Sequence, residues 1–244
     1  NLAEAKYRTP LSKTLERGTI FFEEKTGRRI SAATMVPDYT LIIDPSKLTN
    51  IDVLADKLQK IVSFDRTDFV MRASRKNDKY EEIAKHLSEK DAESIRLLNE
   101  KSITMERSKK RLYPGGRVAA QVLGFVGADG SASRESGRYG LEQYYNDTLE
   151  RSGSTESSSF FADLFLKPAK SIIFDREREG DLITTIEPSV QGFLERVLED
   201  DILKKYNAVS AGAIIMNPKN GEIYAMATMP SFDPNNFSKE KDQK

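Results

Sequence analysis

An α+β fold is predicted by three features of the 244-residue chain: a strand, turn and return strand over residues 17–34, a group of short helical patterns between residues 51 and 98, and an apolar hairpin over residues 211–228. Strand pairs followed by clustered helices, rather than a regular strand–helix alternation, are what separate α+β from α/β folds. The length suggests one large domain or two.

Residues 1–16 are polar apart from positions such as Leu11 and Leu15, and read as an extended arm or a single helical turn. Residues 17–22 form the first strand, residues 23–27 its turn and residues 28–34 the return strand. Residues 39–43 are a further strand, closed by Asp44 and Pro45. Ile51, Leu54, Leu58, Ile61 and Val62 recur at helical spacing, with Thr49 and Asn50 available as caps. Tyr80, Ile83 and Leu87 suggest another helix, carrying the lone His86 as an ordinary surface or packing residue. Ser88 and Asp91 form a capping box ahead of Ile95 and Leu98, and residues 103–106 return to strand composition. Residues 151–159 are rich in Ser and Gly and are expected to be mobile, and residues 160–173 return as a strand or short helix. Gly180 and Asp181 turn into a strand ending at Ile186, and Pro188 then occupies the tolerated first turn of a helix whose buried stripe is Val190, Phe193, Leu194, Val197 and Leu198. In the final hairpin, Pro218 and Asn220-Gly221 supply the turn angles, and both strands are apolar at nearly every position. Such strands are expected to be covered on both faces, as in the middle of a sheet.

Composition narrows the function. Lys plus Arg and Asp plus Glu are both 38, so no net field draws the chain to nucleic acid. Residues 72–111 hold twelve basic and eight acidic side chains, an interleaving that reads as a solvated helical face. No cysteine is present, which rules out disulfides, thiolate metal sites and a cysteine nucleophile in these residues. No acidic run has the glycine-centred spacing of a calcium loop and no Gly-rich phosphate loop occurs, so neither metal nor cofactor is expected. No apolar run approaches the length of a membrane span.

Six sets of residues carry a family resemblance. They are Arg17-Gly18 with Ile20; Arg111, Tyr113, Pro114 and Gly115-Gly116; Leu123-Gly-Phe-Val-Gly127; Gly137, Gly140 and Glu142; Gly180-Asp181 with Thr185-Ile186 and Gln191; and the segment from Asn217-Pro218 through the Pro230-Ser-Phe-Asp-Pro-Asn235 string. In this order they resemble class B penicillin-binding proteins, the membrane-anchored enzymes that cross-link bacterial cell wall. The turn after Ile20 is longer than the family's and lacks its Asp-Arg pair, and Glu187 stands where Asp is usual.

The resemblance implies an elongated, non-catalytic pedestal (dimerisation) domain at residues 17–175 after an arm at 1–16. Residues 176–244 would be the first helix and strands of a truncated transpeptidase domain. It further implies a location on the extracytoplasmic face of the bacterial cell membrane, with a membrane anchor lost upstream of Asn1. Implied partners are a SEDS-type membrane glycosyltransferase and other cell-wall synthesis proteins, with peptidoglycan stem peptides engaged through the absent catalytic part. The role in elongation, division or sporulation is left open.

The family's chemistry needs a Ser-x-x-Lys nucleophile, a Ser-x-Asn and a Lys-Thr-Gly strand converging on one site. Ser238 with Lys241 imitates the first, in a charged tail without an apolar stripe, and Lys25-Thr26-Gly27 imitates the last, in a hairpin turn. No catalytic residue is therefore assigned. A secreted, non-enzymatic interaction module sharing the pedestal fold is the alternative; a self-contained serine hydrolase using Ser238 is the weakest reading. The residues assigned a structural or interface role are Arg17, Gly18, Arg111, Tyr113, Pro114, Gly115, Gly137, Gly140 and Glu142. Arg17, Arg111 and Glu142 each stand beside glycine or in a turn, and glycine lets distant backbones approach closely. Glu142 is accordingly expected to pair with Arg17, Arg111 or both.

Overall fold

The computed structural model describes residues 17–128, 135–150 and 180–237. The arm expected at 1–16, the loop expected to be mobile at 151–159, the return expected at 160–173, the domain boundary at 175/176 and the Ser238–Lys241 string all lie outside them. The architecture is α+β, with Val36–Lys110 forming one compact unit and the chain before and after it the other.

In the Val36–Lys110 unit, the later half of strand β2 (Arg29–Ile43) pairs antiparallel with β3 (Glu81–Leu87), with Tyr39 opposite Leu87 and Ile43 opposite Glu81. Strand β4 (Ile103–Leu112) also pairs with β2. Helix α1 (Ile51–Gln59) starts where the Asn50 side chain accepts from the Val53 amide. Helix α2 (Arg66–Ala73) starts in the same way at Asp65, and α3 (Glu89–Arg96) carries the full Ser88–Asp91 capping box. Leu41, Ile43, Leu54, Leu58, Phe69 and Ile95 close a common core. Each such side chain contributes roughly 1.5–3 kcal/mol relative to an exposed position.

Three expectations need correction in this unit. Residues 81–87 are a strand, not a helix; three apolar residues at helical spacing are a thin signal, and pairing with β2 overrides it. For the same reason the charged stretch at 72–111 is not one helical face, its charges lying along β3 and β4 as well as α3. Strand β2 runs unbroken through Pro37, fusing the segments expected separately at 28–34 and 39–43. His86 is mostly exposed, adopts a positive φ of 60° and places Nδ1 3.0 Å from Asp38 Oδ2.

In the other unit, β1 (Ile20–Glu23) pairs antiparallel with the start of β2 and parallel with β7 (Leu182–Thr184). A short helix α4 (Ala120–Leu123) leads into β5 (Val126–Ala128), which pairs with β6 (Glu135–Gly137). Helices α5 (Gly140–Tyr144) and α6 (Asn146–Leu149) follow. Ile20, Phe22, Tyr113, Leu123, Leu149 and Ile186 share one core.

Helix α7 (Pro188–Arg196), capped by Glu187, continues as a π-helical segment over Val197–Lys204 and packs on the hairpin of β8 (Ala211–Met216) and β9 (Ile223–Met229). Among the described residues, the hairpin is covered on one face only. Ala225, Ala227 and Met229 are buried against α7, whereas Ile214 and Met216 are 60% and 55% exposed. The stripe of α7 also differs from expectation. Phe193 is exposed, because the apolar arc of the helix is wider than the surface packed on it, and the fully buried position beside Leu194 is Gln191. Its amide donates to Met226 O (2.9 Å) and accepts from Met226 N (2.9 Å), so it pairs with β9 as a neighbouring strand would.

Candidate functional site: a buried arginine–glutamate junction

Glu142 is completely buried, in α5, and its two carboxylate oxygens are divided between two guanidinium groups. Arg17 Nε donates to Oε2 at 2.6 Å and Arg111 Nε to Oε1 at 2.7 Å, so both of the arginines expected as partners reach it. One further donor of each arginine is turned to backbone. Arg17 Nη2 donates to Glu142 O (2.7 Å), and Arg111 Nη1 to Gly18 O (2.7 Å). Arg17 Nη1 donates to Asn146 Oδ1 (3.0 Å) and lies 4.0 Å from Glu150 Oε1. Arg111 Nη2 is buried without a hydrogen-bond partner among the described residues.

Tyr113 closes the cluster. Its hydroxyl lies 3.4 Å from Glu142 Oε1 and accepts from Val126 N at 3.0 Å. Burial, and then the Glu142 charge, push the phenol pKa well above its ordinary value, so Tyr113 stays a neutral donor.

Backbone proximity explains why glycines flank these charges. A Cβ at Gly137 would lie 2.0 Å from Glu142 O, and one at Gly18 would lie 1.8 Å from Gly180 O. Gly18 N donates to Leu149 O, which seats Arg17 beside α6. Gly140 begins α5 next to the α4 turn. Pro114 and Gly115 do not join the buried cluster; they form an exposed turn just beyond Tyr113.

Two participants were given no structural or interface role from sequence. Asn146 accepts from both Arg17 and Gly137 N (3.0 Å each) and donates to Glu150 (3.1 Å). Its only sequence signal is the four-residue spacing to Glu150. Asn235 pairs with the Tyr113 backbone, accepting from Tyr113 N and donating to Tyr113 O, each at 3.0 Å. The junction itself holds no nucleophile paired with a base, and among the described residues no group of acidic and histidine side chains could hold a metal. Its chemistry is mechanical: two guanidinium charges tie two distant segments to the carboxylate of a third.

Three separated motifs meeting at one buried ion cluster define a structural scaffold, and the matches to known proteins say of which kind. Residues 14–159 match the family described as the penicillin-binding protein dimerisation domain. The chain belongs to that family and is a class B penicillin-binding protein sequence. It is 28% identical over 242 residues to stage V sporulation protein D of Bacillus subtilis, covering 97% of this chain and 36% of the relative. It is 27% identical over 219 residues to the peptidoglycan D,D-transpeptidase FtsI of Buchnera aphidicola, covering 84% and 36%. Penicillin-binding protein 2X of Streptococcus thermophilus shares the fold, with a TM-score of 0.62 at 19% identity over 91% of this chain and 36% of that one. The chain thus spans about a third of the length of these curated relatives.

Proposed function

We propose that this chain is the scaffold region of a peptidoglycan D,D-transpeptidase acting in bacterial cell-wall synthesis, and that these residues do not themselves carry out acyl transfer. The relatives' names support the first part. The observation that carries the second is the contrast between motifs. Those that resemble the family's pedestal converge on Glu142, whereas Lys25-Thr26-Gly27 is an exposed turn in which Gly27 N bonds back to Glu24 O at 2.8 Å. A Lys-Thr-Gly strand acting on an acyl intermediate has to line a cleft with the serine nucleophile, and an isolated turn does not. In this reading the scaffold stands on the extracytoplasmic face of the membrane, and the pedestal at residues 17–175 engages a SEDS-type glycosyltransferase.

Fluorescent penicillin added to the purified chain is expected to leave no covalent label. A labelled peptide containing Ser238 would overturn the non-catalytic assignment. The partner is tested separately by co-purification with a SEDS-type glycosyltransferase in detergent: retention is expected, and its absence at micromolar concentrations would remove the partner while leaving the scaffold reading intact.

A further inference from the structure

Tyr113 faces two ways. Its hydroxyl belongs to the Glu142 junction, and its backbone is the docking point for residues 230–237. Strand β4 ends at Leu112, and at the next residue the Asn235 side chain replaces a neighbouring strand by bonding both the N–H and the C=O of Tyr113. Asn235 is shaped for this role from below: its own N–H donates to Asp233 Oδ1 (2.9 Å), as does its side-chain amide (3.1 Å), and Asn236 Nδ2 donates to Asp233 Oδ2 (2.8 Å). Burial alone would raise the Asp233 pKa, but these donors and the nearby Arg117 charge lower it overall, so the turn is held by a carboxylate. The segment is anchored at further points. Arg117 donates to Ser231 O, Pro234 is buried, and Phe232 and Phe237 pack on Phe125 with ring centroids 5.9 and 3.7 Å away.

We propose that Tyr113 couples the junction to this segment, so that the Arg17–Glu142–Arg111 cluster and residues 230–237 open and close together. The two share Tyr113, whose ring hydroxyl is held by one and whose main-chain N–H and C=O, on two successive peptide groups, are held by the other. Loosening the ring frees the Tyr113 Cα to turn, and the amide of Asn235 cannot bond both the N–H before it and the C=O after it once the two peptide groups rotate. Coupling of this kind is reciprocal: release of Asn235 must loosen the junction as much as release of the hydroxyl loosens the segment.

Amide hydrogen exchange, read by mass spectrometry on the 244-residue chain, reports such local openings. Tyr113→Phe keeps the ring and removes only the hydroxyl. It is expected to speed exchange at residues 230–237 by roughly fivefold, the factor that corresponds to about 1 kcal/mol of lost hydrogen bonding. Asn235→Ala is expected to speed exchange at Val126 and at residues 140–146. Asn50→Ala, at the cap of α1, serves as a control and is expected to leave both regions unchanged. The proposal is overturned if Tyr113→Phe leaves residues 230–237 at the wild-type rate, or if the effect of Asn235→Ala stays within that segment. A uniform rise that includes residues 51–59 would also overturn it, because that result means general destabilisation.

Discussion

Arg17 and Arg66 are built from the same chemistry in two regions of the chain. Each guanidinium lies near two carboxylates, Glu142 and Glu150 for Arg17, Asp52 and Asp56 for Arg66. Yet the Arg17 side chain is fully buried and that of Arg66 is 38% exposed, with its acidic partners more exposed still. Around Arg66, water can replace either partner at little cost, and salt screens what attraction remains. Around Arg17 there is no such substitute. Desolvated charges are tolerable only while every partner is in place, so the buried cluster acts as a specification of geometry more than as a source of net stability. That Glu142 joins three segments far apart in sequence is what makes the specification global.

The contrast is broken most directly at Glu142. Glu142→Ala leaves two guanidinium groups buried without their carboxylate and is expected to cost about 3–5 kcal/mol. Urea denaturation measures it; a loss under about 1 kcal/mol would mean that the junction behaves like the surface cluster. Next comes the close packing that makes the burial possible. Gly137→Ala sets a methyl group against Glu142 O, where a Cβ would lie 2.0 Å away, and is expected to cost about 1–3 kcal/mol by forcing the backbones apart. The same change at Gly27, which has nothing within 4 Å of its Cβ position, tests the strain of its positive φ alone.

A smaller effect is expected from pH. The Tyr113 pKa is raised in the folded chain by burial and then by Glu142, so its contribution is fully present below the unfolded tyrosine value of about 10. Above that pH the unfolded chain releases the proton first, and stability falls. Tyr80, raised by burial and by Glu106, acts in the same direction. Denaturation at pH 9 and pH 11 should show the decline, and Tyr113→Phe should reduce it. The smallest effect belongs to Arg66→Ala, which is expected to leave the melting temperature unchanged at physiological salt. A clear loss there would show that exposed clusters also shape this fold.

The sequence by itself determined the features governed by near neighbours. The Asn50 cap, the Ser88–Asp91 box, the helix opening at Pro188 and the Asn-Gly turn of the β8–β9 hairpin each depend on atoms within a few residues, and each is found where it was read. The pairing of Glu142 was legible for a related reason: glycine beside an isolated charge marks a close backbone approach, even though its partners are distant. Tertiary structure alone decided the rest. Residues 81–87 became a strand because β2 lies beside them, Phe193 stayed exposed because the surface packed on α7 is narrow, and Gln191 and Asn235 gained their roles from backbone groups 35 and 122 residues away. Burial and strand pairing are properties of what the chain brings together, and no local pattern of apolar or polar residues contains the identity of a neighbour that folding has yet to supply.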